Sequence, residues 1–347
     1  MASGWEYIIT NSMTMEVIGK IRNAHDRSLS VDLNKSGSAS CWLPISDPLS
    51  ASAWPWSTAL VAQYDNTWFW SGPLVQRKTN MAQGQVTISA VGWFERLMHL
   101  TIQDVNGASY SNQDAGAIVA DLLDKAADQD PHLQITLGTV ETTQPRTITY
   151  NLDQSIGQAI LDLADLESGY DWYIDPITRE LNIVAQLGTV RPECRWMFLG
   201  DGKSRQSNLA NVEETVDGST LVNQMRTRGQ FGSGYADDPA SMNTYGVFQE
   251  APSLSDVVDP VVLVAYAGAE IFYRSQPRVT YDLTPKPSSK ATVPKLFRDF
   301  NIGDVGYLTA RRGIVDVRDQ PVRAFGATLA INDAGTETIT NLQTTAN

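Results

Sequence analysis

Residues 68–73 read Trp68-Phe69-Trp70-Ser71-Gly72-Pro73, and residues 85–97 run from Gln85 to Val91 and on through Gly92-Trp93-Phe94-Glu95-Arg96-Leu97. The first stretch is an aromatic strand ending in a turn. In the second, Val86, Ile88 and Ala90 alternate with Thr87 and Ser89, the pattern of a half-buried strand. Working outward, Met15 to Ile21 is apolar-rich, and a polar break follows from Arg22 to Arg27. Leu29, Val31 and Leu33 then alternate along one face. Short strands at this spacing predict a small β-barrel or sandwich over residues 1–103, of which the barrel is the expectation taken forward.

The period then changes. Ile118, Leu122 and Leu123 fall at helical spacing between Asp114 and Ala127, with Ser111 or Asn112 available as the cap. Ile135 and Leu137 mark a short strand, and Arg146 to Tyr150 another. Asp153 is expected to cap a second helix carrying Ile156, Ile160 and Leu163, which Gly169 would close. Tyr170 to Asp175, a turn from Pro176 to Arg179, and Leu181 to Val184 form a hairpin. Residues 104–190 are therefore an α+β insert.

Strand signals return over 191–230, expected to rejoin the first barrel. Gly229 to Gly234 is glycine-rich and precedes Asp237-Asp238-Pro239, a boundary or mobile loop. In 231–347, Asp259-Pro260 opens a helix through Val264, Ala267 and Ile271 that Pro277 stops. Asn301 to Leu308 turns into a strand. Val322 to Ile331 and Glu337 to Leu342 then pair through Asn332-Asp333-Ala334-Gly335. The expected class is α+β, mainly β, with two small β-barrel domains flanking the insert. The two ends echo each other in pattern, with no strict residue repeat.

Composition narrows the function. The chain has 347 residues, enough for two to four compact units, and 42% of them are hydrophobic, with nine Trp and twelve Tyr to build a core. The net charge is −13 and the pI near 4.6, which argues against gripping phosphates. Such a surface either repels DNA along a conduit or simply keeps the chain soluble. No run of about eighteen apolar residues predicts a membrane span. Met1 to Glu6 lacks signal-peptide character, so the product is expected to be made in the cytoplasm and kept there or released by lysis. Cys41 and Cys194 share no spacing with a metal site or disulfide framework.

Catalytic parts are missing. His25, His99 and His132 are scattered, and no nucleophile elbow, zinc-binding helix or phosphate loop occurs. Among the carboxylates, Glu95, Asp162, Asp165, Glu167, Asp171, Glu213 and Glu214 invite an acid/base reading, but a solvated outer face explains Asp162 and Asp165 better. Asp201-Gly202-Lys203 and Asp237-Asp238 are turns before they are metal sites. No catalytic, metal or cofactor residue is assigned, and no cofactor is expected. The aromatics are more suggestive. Trp54-Pro55-Trp56 lies in a Ser/Ala/Pro-rich loop shortly before Trp68 and Trp70. These four tryptophans are the candidate assembly interface, with core packing the competing use of each ring.

The order of these motifs resembles the hub proteins of phage tails, in the minor tail protein group of long-tailed phages. Trp68 to Pro73 followed by Gln85 to Leu97 is similar to that family's strand, glycine turn, second strand and Gly-aromatic segment. The helix from Asp153 to Glu167 running into Ser168-Gly169-Tyr170-Asp171-Trp172-Tyr173 is similar to its helix and Gly-x-x-Trp strand. Phe300 to Val305, Val322-Arg323 and the terminal hairpin look like its closing barrel. The resemblance spans nearly the whole chain. It implies a homotrimer with two barrels per subunit in a pseudo-sixfold ring at the virion's tail tip, assembled in the host cytoplasm. The implied partners are distal tail and tape-measure proteins on one side and tip fibre or spike proteins on the other. DNA would meet the ring only in transit, and no membrane insertion is implied. Two alternatives stand beside it: a glycan-binding or wall-degrading tail module, and an α/β enzyme with a pocket between Asp114 and Val184.

Overall fold

The computed structural model describes residues 4–104, 107–141, 143–165, 169–229, 231–254, 260–287 and 293–346. The fold is mainly β. Thirteen strands form one sheet whose main path runs Leu209–Asp217, Arg278–Pro285, Glu337–Ala346, Val315–Ile331, His25–Asp32, Ser38–Pro44, Gln85–Val91, Thr67–Asn80, Thr58–Tyr64, Trp5–Asn11 and Val17–Ile21. Val190–Leu199 and Val305–Arg312 branch from Val315–Ile331. The described strands do not close into a barrel. They form an N-terminal and a C-terminal half joined along one seam, where Gly326 to Ile331 pair antiparallel with Asp32 to Arg27.

The aromatic strand and its partner lie as read, antiparallel, with Leu74 opposite Ala90 and Asn80 opposite Gln85. Two glycines explain why these motifs tolerate nothing larger. A Cβ on Gly72 would stand 1.8 Å from the Val91 carbonyl oxygen, and one on Gly92 would stand 1.9 Å from that of Ser36. Backbone passes backbone at both points, which only glycine allows.

Both halves of the sheet share one core. Trp5, Tyr7, Leu29, Trp70 and Ile88 from the first half pack with Trp196, Leu283, Leu308, Leu329 and Leu342 from the second. Polar groups cross the same seam. The buried Arg27 donates to the carbonyls of Trp5 (2.7 Å) and Asn332, and Glu337 takes the Trp5 indole N–H and the Arg298 guanidinium. The terminal hairpin forms as expected, from Val315–Ile331 and Glu337–Ala346.

The strands after residue 190 do not return to the N-terminal half. Val190–Leu199 pairs in parallel with Val305–Arg312, and Leu209–Asp217 pairs with Arg278–Pro285, so both complete the C-terminal half. Trp196 and Leu209 seat them in the shared core, which sequence spacing alone cannot allocate. The glycine-rich stretch is the turn of a hairpin between Gln224–Arg228 and Ser233–Asp237 rather than a boundary, closed by Gly229 N–H to Gly232 at 2.9 Å. Asp238 caps the short helix Pro239–Tyr245. The helix Pro260–Arg274 buries Leu263, Ala267 and Ile271, and its expected cap Asp259 lies outside the described residues.

The insert has a separate core around Trp93, Phe94, Leu122, Ile160 and Trp172. Its first helix, Ala115–Gln129, is capped by Asp114, whose carboxylate accepts from the N–H groups of Gly116 and Ala117. Ser111 and Asn112 are not the cap because the strand Ala108–Asp114, paired with Pro145–Tyr150, carries on through them. The second helix, Ile156–Ala164, is capped by Ser155, not Asp153, which sits at φ 67° before the first turn. That helix ends at Asp165 as its C-cap, short of Gly169, and Glu167 and Ser168 lie outside the described residues. Asp171–Ile174 and Glu180–Val184 form the expected hairpin, with Thr136–Val140 added in parallel.

Candidate assembly surface and the joint behind it

The four tryptophans do not share one surface. Trp54 is 60% exposed with the Arg77 guanidinium 5.2 Å from its ring, and Trp56 is 40% exposed with its edge on His99. Trp56 is held firmly, at φ 61°, its N–H donating to Leu74 and its carbonyl accepting from the Ser12 hydroxyl at 2.7 Å. Trp70 is 6% exposed and lies in the core, so it has almost no area for a neighbour. Trp68 is half-buried and lines a cleft with Trp70.

That cleft, about 540 Å³, opens where the two sheet halves meet the insert. Phe69, Trp93, Trp172 and Tyr173 face it alongside Asp32 and Asp304. Burial raises the Asp32 carboxyl above its ordinary range, with Lys35 opposing the effect. Trp93 donates its indole N–H to the Ser71 hydroxyl, which donates to Pro176 of the insert's turn at 2.6 Å.

Two carboxylates, Asp171 and the cleft-lining Asp304, fix the insert to the sheet. Asp171 pairs with Arg323 and accepts the Leu187 N–H at 2.7 Å. Asp304 accepts the Thr189 N–H at 2.6 Å, pairs with Arg191 at 3.1 Å and accepts the Asn301 N–H at 2.8 Å. Asn34 joins from the N-terminal half, its side-chain Oδ1 accepting the backbone N–H of Trp172 at 2.9 Å. The exit of the insert, residues 187–191, is thus clamped on both sides. The clamp has structural rather than catalytic chemistry, because each acid is held by a fixed cation and backbone donors.

The remaining candidates are dispersed. Glu95 begins the short helix Glu95–Met98, Asp162 takes an amide N–H of Gln158 at 2.8 Å, and Asp165 is exposed. Glu213 and Glu214 lie on the edge strand Leu209–Asp217. Asp201 pairs with Lys203 across its turn. His25 stacks on Trp42 and contacts Asp333, while His132 is exposed. Cys41 and Cys194 are buried free thiols, each pushed up to about 12 by desolvation. Among the described residues no group of acids, histidines and cysteines has the arrangement of a metal site. Sequence reasoning overlooked Asn34 and Arg191 in the joint. Asp304 and Arg323 stand in quoted motifs, but nothing local marks them as partners of Thr189 and Asp171.

The fold that carries these surfaces is the fold of phage tail proteins and hub-like proteins. No family model and no curated protein matches the sequence. Among solved structures, a prophage MuSo2 43 kDa tail protein from Shewanella oneidensis aligns over 97% of this chain and 97% of its own, with a TM-score of 0.66 at 11% identity. A tail protein from Neisseria meningitidis MC58 aligns over 99% of this chain and 97% of its own, with a TM-score of 0.63 at 11% identity. The Escherichia coli c3393 protein aligns over 94% of this chain and 74% of its own, with a TM-score of 0.50 at 9% identity. That protein is a type VI secretion component with structural similarity to the T4 tail proteins gp27 and gp5.

Proposed function

We propose that this chain is a structural hub subunit of a long-tailed phage, three copies of which form a pseudo-sixfold ring at the tail tip. Each sheet half would act as one barrel-like unit of the ring, and the clamped insert would project from it. The ring would join the tail tube to tip fibres or a spike and surround a passage for DNA or the tape-measure protein. The observation that carries this reading is the likeness of fold to two tail proteins along nearly the full length of both chains. The shared core supports it, because two halves packed on one core hold a fixed angle, which a closed ring requires. Of the four tryptophans, Trp54 and Trp56 are the exposed pair available for contact. Light scattering should give three times the subunit mass, and electron microscopy a ring with an open axis. A monomer at every concentration and beside its tail neighbours would refute the ring.

The cleft favours a second reading, a glycan-binding tail module, because Trp68 and Tyr173 stand beside Asp32 and Asp175 there. Quenching of tryptophan emission by cell-wall saccharides, lost on Trp68→Ala, would support it. No change at saturating saccharide would remove it.

A further inference from the structure

We infer that the two open edges of the sheet pair between copies of this chain, the Val17–Ile21 strand of one subunit adding antiparallel to the Leu209–Asp217 strand of the next. This inference rests on the ring reading above and names the surfaces that would close the ring.

The two strands stand at opposite ends of the main strand path. Among the described residues Val17–Ile21 pairs only with Trp5–Asn11, and Leu209–Asp217 only with Arg278–Pro285. A contact between two different edges is head-to-tail, the type that propagates around a ring. Each edge has the charges and a register step that guard a free edge, Lys20 on one and Glu213 and Glu214 on the other, yet each also exposes apolar side chains. Val17 and Ile18 are 54% and 43% exposed, and Val216 is 60% exposed. Ile18 also faces no residue of its own partner strand, because the register steps from Gly19 to Val17 there.

Charge selects the occupant. Glu213 lies directly opposite Asp282 in the ladder, a like-charge pairing that costs stability unless a cation approaches. Among the described residues no ion pair is formed by Glu213, Glu214 or Asp282, and Glu214 is met within its own subunit only by the Tyr281 hydroxyl. The opposite edge carries Lys20 and Arg22, both exposed, and Lys20 is shared only with Glu6 at the surface. The antiparallel register that sets Lys20 against Glu214 also sets Ile18 against Val216, two positions along. One register therefore matches a charge pair and an apolar pair.

Cysteine cross-linking tests this on the full chain. Ile18→Cys/Val216→Cys, mildly oxidised, should give a non-reducing ladder that stops at the trimer, with an 18–216 disulfide peptide by mass spectrometry. The two single variants mixed together should stop at the dimer. Cys41 and Cys194 are buried and leave the background clean. Glu214→Lys should abolish the link, and adding Lys20→Glu should restore it. A trimer by light scattering without the 18–216 link would overturn this inference and leave the ring standing. A monomer with no link at the highest soluble concentration would sink both.

Discussion

Asp171 and Arg323 form an ion pair across 152 positions of sequence, and through it the insert is fastened to the longest strand of the sheet. The same guanidinium donates to the carbonyls of Leu187 at 2.9 Å and Gly303 at 3.1 Å. Three connections thus meet at one planar group, which a lysine cannot reproduce.

Removing that group leaves a carboxylate buried without its cation. Arg323→Ala is expected to cost about 3 kcal/mol, read as a lowered urea midpoint. Arg323→Lys should fall between wild type and Ala. Both should speed proteolytic cleavage near residues 185–190, where the clamp is lost. An unchanged midpoint for Arg323→Ala would show that the backbone contacts alone hold the insert.

Gly72→Ala and Gly92→Ala each drive a methyl group into a carbonyl oxygen. Each should destabilise by more than about 4 kcal/mol, because backbone rather than a flexible side chain must yield. Circular dichroism melts would record this, and Gly84→Ala provides a contrast. Gly84 has φ 64° and meets only an Ile45 methyl at an ordinary 3.9 Å, so its cost should stay near about 1 kcal/mol.

The tryptophans should separate by burial. Trp70→Ala is expected to cost about 3–5 kcal/mol, and Trp54→Ala to stay within about 0.5 kcal/mol. If Trp54 is an assembly contact, its variant should melt normally yet assemble poorly, which light scattering reads independently.

Burial pushes the Cys41 thiol up to about 12, with Arg27 as a smaller opposing influence. In the unfolded chain a thiol loses its proton near pH 8.5, so from about there the unfolded state binds fewer protons than the folded one. The stability held below that pH should fall by up to about 1.4 kcal/mol per pH unit as pH rises toward 12. The buried Cys194 thiol and the buried tyrosines are pushed up as well, so the diagnostic is a comparison. Cys41→Ala should flatten the slope relative to wild type in urea titrations between pH 8 and pH 10.5.

Much of this architecture is legible in the sequence, and the exceptions have physical causes. The strand at Gln85–Val91, the hairpin after Tyr170 and the terminal hairpin all follow from alternation and turn residues, which are local signals. The caps were displaced by a few residues because several oxygen-bearing side chains stand near each helix start, and only backbone direction chooses Asp114 over Ser111 and Ser155 over Asp153. The destination of Val190–Leu199 is not legible in the sequence, because its pairing with Val305–Arg312 depends on contacts more than a hundred positions away. Of the candidate surface, Trp54 and Trp56 were distinguishable by their Pro-containing loop. The fate of Trp70 was not, since alternation in an aromatic strand does not say which ring turns inward. The joint was hardly visible at all, because an ion pair such as Asp171–Arg323 leaves no periodic trace in either segment.

The seam between His25–Asp32 and Val315–Ile331 sets a schedule for biosynthesis. At roughly 5–20 residues per second on the ribosome, the early strand waits on the order of 15–60 seconds before its partner emerges. Throughout that interval Leu29 and its neighbours have no permanent cover on that side, and the pairing that finally covers them closes a very long loop. The seam is therefore completed only at the end of synthesis, and the nascent chain is the stage at which a holdase chaperone would matter most to the yield of this protein.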